Sequence, residues 1–501
     1  MPAPIKVLYH RRVNTGSSGL AAAADPVENR PSRLSGIWRI ALLGLALQLG
    51  ACAHYQPAPL QPGDSATEFS ARRLDAPELR DRVAAMLPQA DASWPPATWN
   101  RGQLLAIALV WNPQIAVARA QVEAALAHET AAGQLPNPQL TLQSEYAKRE
   151  PHPWLYGLSL DLLWATGKRR QLDREAARIE SSAARWQLMD QAWAVRNALL
   201  KAASDRESAA RRLDLLERLS SAQQKVVALQ RRRIAAGEDA ADEALVASQA
   251  QIEIEQQQTQ SRTELATAGA ALAAALGVVP AAIDGIRVDW SEWGQPPSID
   301  AATLDQAREQ ALRSRSDLSA TLDAYAVAEN KLHQAVLRQY PQFHLSPGYY
   351  WDHGIAKFPF NVGFDLPLNG NAGEIAEARA ARDVAGRRML AAQAEIIGAI
   401  EAAGRAETLA RGSVDAAERG LGTARDQRRN AALTLRLGGI AAHEDLAAEA
   451  LALRSELQNV QARAQLQSAR NALEDALHAP LSGPELQLST ALPVAVAGAT
   501  R

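Results

Sequence analysis

The sequence is short of most things that hold small globular domains together. It has a single cysteine, Cys52, in 501 residues, so no disulfide can form within the chain and a cysteine-built metal site is excluded. Aromatic residues are 5% of a chain that is 47% hydrophobic. The apolar content is therefore mostly Ala and Leu, which suits long, closely packed helices better than bulky single cores. The net charge of -2 offers none of the clustered basic excess that nucleic-acid binding requires. Beyond Cys52 no run reaches the roughly 18 to 20 apolar residues of a membrane helix, so any membrane-spanning part has to be a barrel. Proline is missing between Pro153 and Pro280 and again between Pro367 and Pro480, which leaves two very long stretches free of helix breakers.

Those stretches are rich in Ala, Leu, Arg, Glu and Gln, the residues of highest helix propensity. Read as single helices, Lys168 to Ala235 and Glu374 to Arg436 each span roughly 100 Å at about 1.5 Å per residue. Helices of that length need neighbours along their whole course, in a coiled coil or a helical tube. Each ends at a Gly-containing turn, Ala235-Ala236-Gly237-Glu238 and Leu437-Gly438-Gly439-Ile440, after which a second helix returns.

The two halves match in order. Asn137-Pro138-Gln139-Leu140 corresponds to Tyr340-Pro341-Gln342-Phe343, Asn112-Pro113-Gln114-Ile115 to Arg315-Ser316-Asp317-Leu318, Gly157-Leu158-Ser159-Leu160 to Gly363-Phe364-Asp365-Leu366, and Gly237 to Gly439. All four pairs are separated by roughly two hundred residues, which indicates two tandem copies of one helix, strand, strand, helix, helix unit. The expected organisation is a segment 1–51 removed as a signal peptide, an N-terminal segment 52–98 and repeat 1 at 99–279. In repeat 1 strands at 138–147 and 154–163 precede a helical hairpin at 168–276. An equatorial linker, 280–300, leads to repeat 2 at 301–479, with strands at 342–351 and 358–368 and a hairpin at 374–478. A C-terminal tail, 480–501, closes the chain.

The strand segments alternate with a period of two. Trp154, Tyr156, Leu158, Leu160 and Leu162 share one face, and so do Phe358, Phe360, Val362, Phe364, Leu366 and Leu368. Their partners, from Leu140 and Phe343, follow the same rule more loosely. An ordinary half-buried hairpin reads this way too. Four of the five Phe lie in the second strand pair, however, where a lipid-facing barrel strand calls for aromatics. Four strands per chain cannot close a barrel, since bacterial barrels start at about eight. Closure therefore requires several copies, and three supply twelve strands.

At the N-terminus Arg30, Arg33 and Arg39 precede the apolar run Ile40 to Leu49, and Leu49-Gly50-Ala51-Cys52 follows. This is the order of a signal peptide, and the four residues resemble a bacterial lipobox, with Cys52 as the lipidated first mature residue. The alternative is a buried cysteine at the end of a core helix. Met1 to Ser35 is longer than a usual n-region, consistent with a translation start further downstream. Ala53 after the cysteine implies, by the same resemblance, sorting to the outer membrane.

The whole order, from about Trp99 to Ala479, resembles the TolC family of outer-membrane efflux factors. The residues that carry the likeness are Asn112-Pro113-Gln114-Ile115, Pro138-Gln139-Leu140, Gly167-Lys168-Arg169, Leu366-Pro367-Leu368-Asn369-Gly370-Asn371 and the two tip turns. The resemblance implies a mainly α fold with a small β part. Long antiparallel hairpins form a periplasmic α-helical barrel, and four strands per protomer contribute to a trimeric 12-stranded transmembrane β-barrel. It also implies a homotrimer in the outer-membrane lipid that joins a periplasmic adaptor, the membrane fusion protein, and an inner-membrane RND pump. Gly167-Lys168-Arg169 is closer to the heavy-metal-cation, CzcC-like branch than to the drug-exporting branch. Drug export or type I secretion in the same family remains an alternative, as does a lipid-anchored coiled-coil scaffold without a channel.

By that resemblance the adaptor meets Ala235, Ala236, Gly237 and Glu238 and, at the second tip, Leu437, Gly438, Gly439 and Ile440. The periplasmic aperture falls on Asp445 and Glu449, with Glu243 in the first copy. A further family carboxylate corresponds to Ala448 here and is absent. Without the resemblance these residues are plain hairpin turns and solvated helix faces. Nothing in the sequence has the context of a catalyst. Gly420-Leu421-Gly422 follows no strand, and His443-Glu444 lacks the second histidine of a zinc protease. His152 and His353 fall in the strand-connecting loops. The expectation is a passive duct, not an enzyme, with no metal and no cofactor beyond the covalent lipid on Cys52.

Overall fold

The structure, a computed structural model, describes residues 55–87, 93–164, 167–238, 240–289, 294–364 and 366–489. Cys52, the lipobox and Asp365 lie outside these residues. The chain divides into Met1–Pro62 and Gly63–Arg501. Of the first unit only 55–62 is described, exposed and without regular structure up to Pro62. All the strands and all but the first residue of the helices belong to the second unit.

The first half of the chain contains α1 (Pro62–Ala71), α2 (Pro77–Met86), α3 (Arg101–Trp111), α4 (Pro113–Ala132), β1 (Gln139–Tyr146), β2 (Trp154–Trp164), α5 (Gly167–Ala235) and α6 (Ala241–Leu276). After a 3-10 turn at Pro280–Ile283 come α7 (Ala301–Ser314), α8 (Ser316–Leu337), β3 (Phe343–Asp352), β4 (Ile355–Lys357), β5 (Phe360–Phe364), α9 (Ala372–Arg436), α10 (Ala442–Leu477) and α11 (Glu485–Ser489). The same helix, helix, strand, strand, long helix, shorter helix order occurs twice.

The two long helices have 69 and 65 residues, and each returning helix has 36. A returning helix thus covers about half of its partner. The other half of α5 packs on α4 and α8, and that of α9 on α8. Every turn thereby gains a neighbour, which a helix of this length requires. The contacts are made by medium and small side chains: Leu215, Leu216, Leu219 and Ala222 of α5 meet Ile254 of α6 and Ala450, Leu453 and Val460 of α10.

The largest core sits where α6 ends, and a smaller one gathers at the end of α10. Residues 102–109 of α3 are all buried, packed on α5 and the end of α6. Asn100 opens α3 with a capping box: its side chain accepts from the Gln103 amide at 2.8 Å, and the Gln103 side chain accepts from the Asn100 amide at 3.0 Å. Asn112 forms the α3–α4 corner. Its Oδ1 accepts from the Gln114 amide (2.9 Å) while its Nδ2 donates to the Ala275 carbonyl (2.8 Å), closing the end of α6. In the second half Arg315 takes that place and donates to the Ala476 carbonyl at the end of α10. The Asn112 and Arg315 motifs are therefore equivalent helix corners that cap returning helices.

Residues 139–164 and 343–364 form one antiparallel sheet in the order β1-β2-β3, with β4 and β5 both pairing β3. The expected strand 358–368 differs here. It is two pieces, β4 and β5, that start earlier and end at Phe364, because Pro359 has no amide to donate between them and Pro367 interrupts the chain beyond. The expected tail 480–501 is structured as far as Ser489, and Glu485 and Leu488 are buried against the core. Within the expected linker 280–300, Val288 makes a parallel bridge to Trp99.

Candidate functional site

The strand register sorts the side chains onto two faces. Leu140 lies opposite Leu160, Leu142 opposite Leu158, and Tyr146 opposite Trp154; Tyr156 lies opposite Trp351, and Leu158 opposite Tyr349. Phe343 pairs with Phe364 and Leu345 with Val362. One face is therefore largely Leu, Val and aromatic surface, interrupted at Ser144 and Pro347, with ring contacts Tyr146–Trp154 at 4.9 Å and Tyr349–Phe358 at 5.2 Å. None of the described residues covers it: Leu142 is 74% exposed and Phe358 77%. Such a face on a soluble protein would drive association.

The opposite face is mainly polar, with Gln139, Thr141, Gln143, Glu145, Ser159, Asp161, His344, Ser346 and Asn361 beside Leu155, Leu163 and Tyr350. Here His344 Nδ1 lies 3.2 Å from Asp161 Oδ1, and Ser346 Oγ donates to Asp161 Oδ2 at 3.1 Å. Serine and histidine both address the carboxylate and not each other, so this is no nucleophile-base relay. Tyr350 lies over Gly157, where a Cβ would run into its ring.

The junction residue Arg169 donates to the Leu337 and Tyr340 carbonyls at 2.8 and 2.7 Å, and Asn371 to the Ala335 carbonyl at 2.9 Å. The two sheet-to-helix junctions thus both hold the end of α8. At the rim, His353 contacts the His152 carbonyl oxygen at 2.7 Å and has a φ of 46°, linking the strand loops of the two halves.

At the far end, Ala235, Ala236, Gly237 and Glu238 are exposed, as are Leu437, Gly438 and Gly439, while Ile440 is half-buried. Both turns close by the same hydrogen bonds. The Gly237 amide donates to Ile234 and that of Glu238 to Arg233; the Gly438 amide donates to Leu435 and that of Gly439 to Thr434. The left-handed residues are Gly237 (φ 76°) and Gly438 (φ 73°). Gly237 is therefore the counterpart of Gly438, not of Gly439 as the sequence match suggests. Adjacent glycines look alike in sequence, and only the backbone angle tells which one ends the helix.

This slip of one residue moves the comparison of the returning helices. Glu243 corresponds to Glu444, both in the first turn, and Asp445 stands beside them on a face turned by about 100°. Asp445 is half-buried, Glu243 is exposed, and neither has an ion-pair partner among the described residues. Glu449 differs, because Arg428 of α9 holds it at 3.1 Å. Arg233 reaches His443 Nδ1 at 3.1 Å, so the two tips touch.

Sequence reading missed a buried ionic cluster between the hairpins. Arg196 of α5 binds Glu474 of α10 at 2.6 Å and lies 3.7 Å from Glu485 of α11; Arg470 approaches Glu474 at 3.5 Å and Arg101 approaches Glu485 at 3.6 Å. Arg196 is 2% exposed and Glu474 1%. Trp193 lies 4.9 Å from the Arg196 guanidinium and stacks at 5.3 Å on His478. Burial, then the nearby Arg315, hold the His478 imidazole below its usual range. Burial likewise pushes the Asp190 carboxyl up. In helices crowded with Arg and Glu, no local signal separates these from their solvated neighbours.

Among the described residues no group of three or more His, Cys, Asp or Glu could hold a metal ion, and no helix is long and apolar enough to cross a membrane. No protein-family profile matches the sequence, and no curated protein matches it. Solved structures do. The outer membrane protein VceC of Vibrio cholerae matches with a TM-score of 0.62 at 18% identity, over 76% of this chain and 97% of that one. CusC, described in terms of folding and transmembrane channel formation, matches at 0.60 and 15%, over 79% and 96%. The outer membrane channel CmeC of Campylobacter jejuni matches at 0.63 and 14%, over 79% and 89%. The chain has the fold of these outer-membrane proteins, the TolC-type fold that its sequence resembles.

Proposed function

We propose that this chain is one protomer of a trimeric outer-membrane conduit, the exit duct of a tripartite RND-type efflux system, and carries out no catalysis. The observation that supports it best is the bare apolar face of a sheet too narrow to close, mounted on two hairpins roughly 100 Å long. A periplasmic scaffold would leave that face in water. Three copies would form a twelve-stranded barrel in the outer membrane with the apolar face to lipid and the polar face to the lumen. Lipid on Cys52 adds an anchor. The exposed tips, Ala235 to Glu238 and Leu437 to Ile440, suit close approach of a periplasmic adaptor. Heavy-metal cations are the cargo favoured by the Gly167-Lys168-Arg169 resemblance. Energy comes from the inner-membrane partner.

Asp445 is the carboxylate best placed to ring the periplasmic aperture, since Arg428 already neutralises Glu449. In planar bilayers Asp445→Ala is expected to weaken cation selectivity, and Asp445→Lys to shift it towards anions, because a ring of carboxylates in a narrow pore concentrates cations. Unchanged selectivity in both variants would remove Asp445 from the aperture, whereas failure of the purified wild type to conduct at all would remove the duct. Cys52→Ser is expected to lose metabolic palmitate labelling and still yield heat-resistant trimers in outer-membrane fractions, the barrel supplying most of the anchoring. Labelling that persists would rule out acylation at Cys52.

A further inference from the structure

The polar face of the sheet holds a side-chain group for which a plain duct has no need. His344 on β3 contacts Asp161 on β2 through Nδ1 at 3.2 Å, and Ser346 occupies the other carboxylate oxygen at 3.1 Å. An ionised carboxylate only accepts, so an Nδ1–H donates in the His344 contact, and in the neutral form of such a ring the lone pair lies on Nε2. No hydrogen bond to Nε2 occurs among the described residues, and the imidazole is 40% exposed. In the register His344 stands between Leu163 of β2 and Gly363 of β5, and the glycine leaves the β5 side of the ring without a side chain. A carboxylate that fixes tautomer and orientation is how proteins prepare an imidazole to bind a metal ion.

The surrounding charge favours cations. The polar face of the described strands carries Glu145, Asp161 and Asp352, and its one lysine, Lys357, is already bonded to Asp352. A wall with excess carboxylate raises the local concentration of cations.

We propose that His344, oriented by Asp161, is a low-affinity docking point for divalent transition cations on the polar wall of the sheet. The placement of that wall in a lumen rests on the conduit reading; the docking point itself does not. His344 is the ligand and Asp161 a positioning residue. One imidazole, with water completing the coordination shell, binds weakly. Weak binding suits a passage, where an ion has to leave as readily as it enters. Imidazole selects zinc-like ions, whereas magnesium prefers oxygen ligands and keeps its water.

The test uses the untagged full-length trimer with Zn2+ and Mg2+ as probes, read by equilibrium Zn2+ binding and by conductance in planar bilayers. Zn2+ is expected to bind and to lower conductance reversibly, with Mg2+ inert. His344→Gln should abolish this response, Asp161→Asn should weaken it about tenfold, and Ser346→Ala should retain it. In the wild type, Zn2+ is expected to protect His344 from diethyl pyrocarbonate, scored by mass spectrometry, a readout that needs no variant. Equal Zn2+ binding by His344→Gln and wild type, or unprotected His344, would overturn the docking point. An Asp161→Asn response equal to wild type would overturn the positioning role. Zn2+ binding that depends on His344 in a trimer that does not conduct would keep the docking point and refute the conduit.

Discussion

Arginine in place of Phe364 or Leu160 is expected to prevent assembly of the chain into outer-membrane trimers, whereas arginine at Asn361 or Ser159 is expected to leave assembly intact. The residues lie along the same strands and the same side chain is introduced at each, so the main difference is the face on which it stands. On the apolar face a guanidinium costs about 2 to 4 kcal/mol near the bilayer midplane, as at Leu160 in the middle of β2, and less at Phe364, which ends β5. A three-fold assembly repeats that cost in every copy, so at Leu160 the trimer loses roughly 6 to 12 kcal/mol, comparable to the whole stability of a typical domain. On the polar face the same side chain remains in water. Heat-resistant trimers in outer-membrane fractions, quantified for the four variants, provide the measurement. Equal recovery of all four would mean that the apolar face does not meet lipid.

The second large effect is expected far from the sheet. Glu474→Ala should lower the thermal stability of the purified protein by the equivalent of about 3 to 5 kcal/mol, since it takes the shared carboxylate from both Arg196 and Arg470, whereas Arg196→Ala should cost less, because Arg470 still faces Glu474. The combined Arg196→Met, Glu474→Leu variant should lose less than Glu474→Ala, because it removes one of the two arginines that Glu474→Ala strands and restores apolar volume. The single variants should also expose the segment around Glu485 to protease. That segment is held by the same cluster: Glu485 approaches Arg196 and Arg101, and the Leu481 amide donates to Glu474 at 3.1 Å. A double variant less stable than both singles would show that the cluster contributes net stability beyond avoiding isolated charge.

Several features could be read directly from the chain because they depend on local periodicity. Proline-free, Ala-rich stretches with Gly at their ends became helices of 69 and 65 residues within one or two positions of the expected bounds, since propensity, caps and breakers all act over a few residues. Strand alternation sorted Leu160 from Ser159 for the same reason: a period of two is a property of the backbone. Even the helix corners at Asn112 and Arg315 stood out as matching motifs, although their shared task of capping a returning helix did not.

What depends on spatial juxtaposition was not legible. The left-handed residue at the second tip is Gly438 and not Gly439, a choice made by the turn's own hydrogen bonds and invisible to matching glycines by spacing. Glu449 looked like a free carboxylate until Arg428, on the neighbouring helix, was placed beside it. Arg196 and Glu474 sit in helices full of Arg and Glu, and only packing decides which pair loses its water. Asp161 on β2 and His344 and Ser346 on β3 belong to different halves and meet because β2 pairs with β3. The sequence by itself determined the long helices, their lengths and the two faces of the strands, all set by short-range periodicity and propensity. The tertiary structure alone decided which charges are paired, which are buried and which side chains meet, because those depend on long-range register and desolvation.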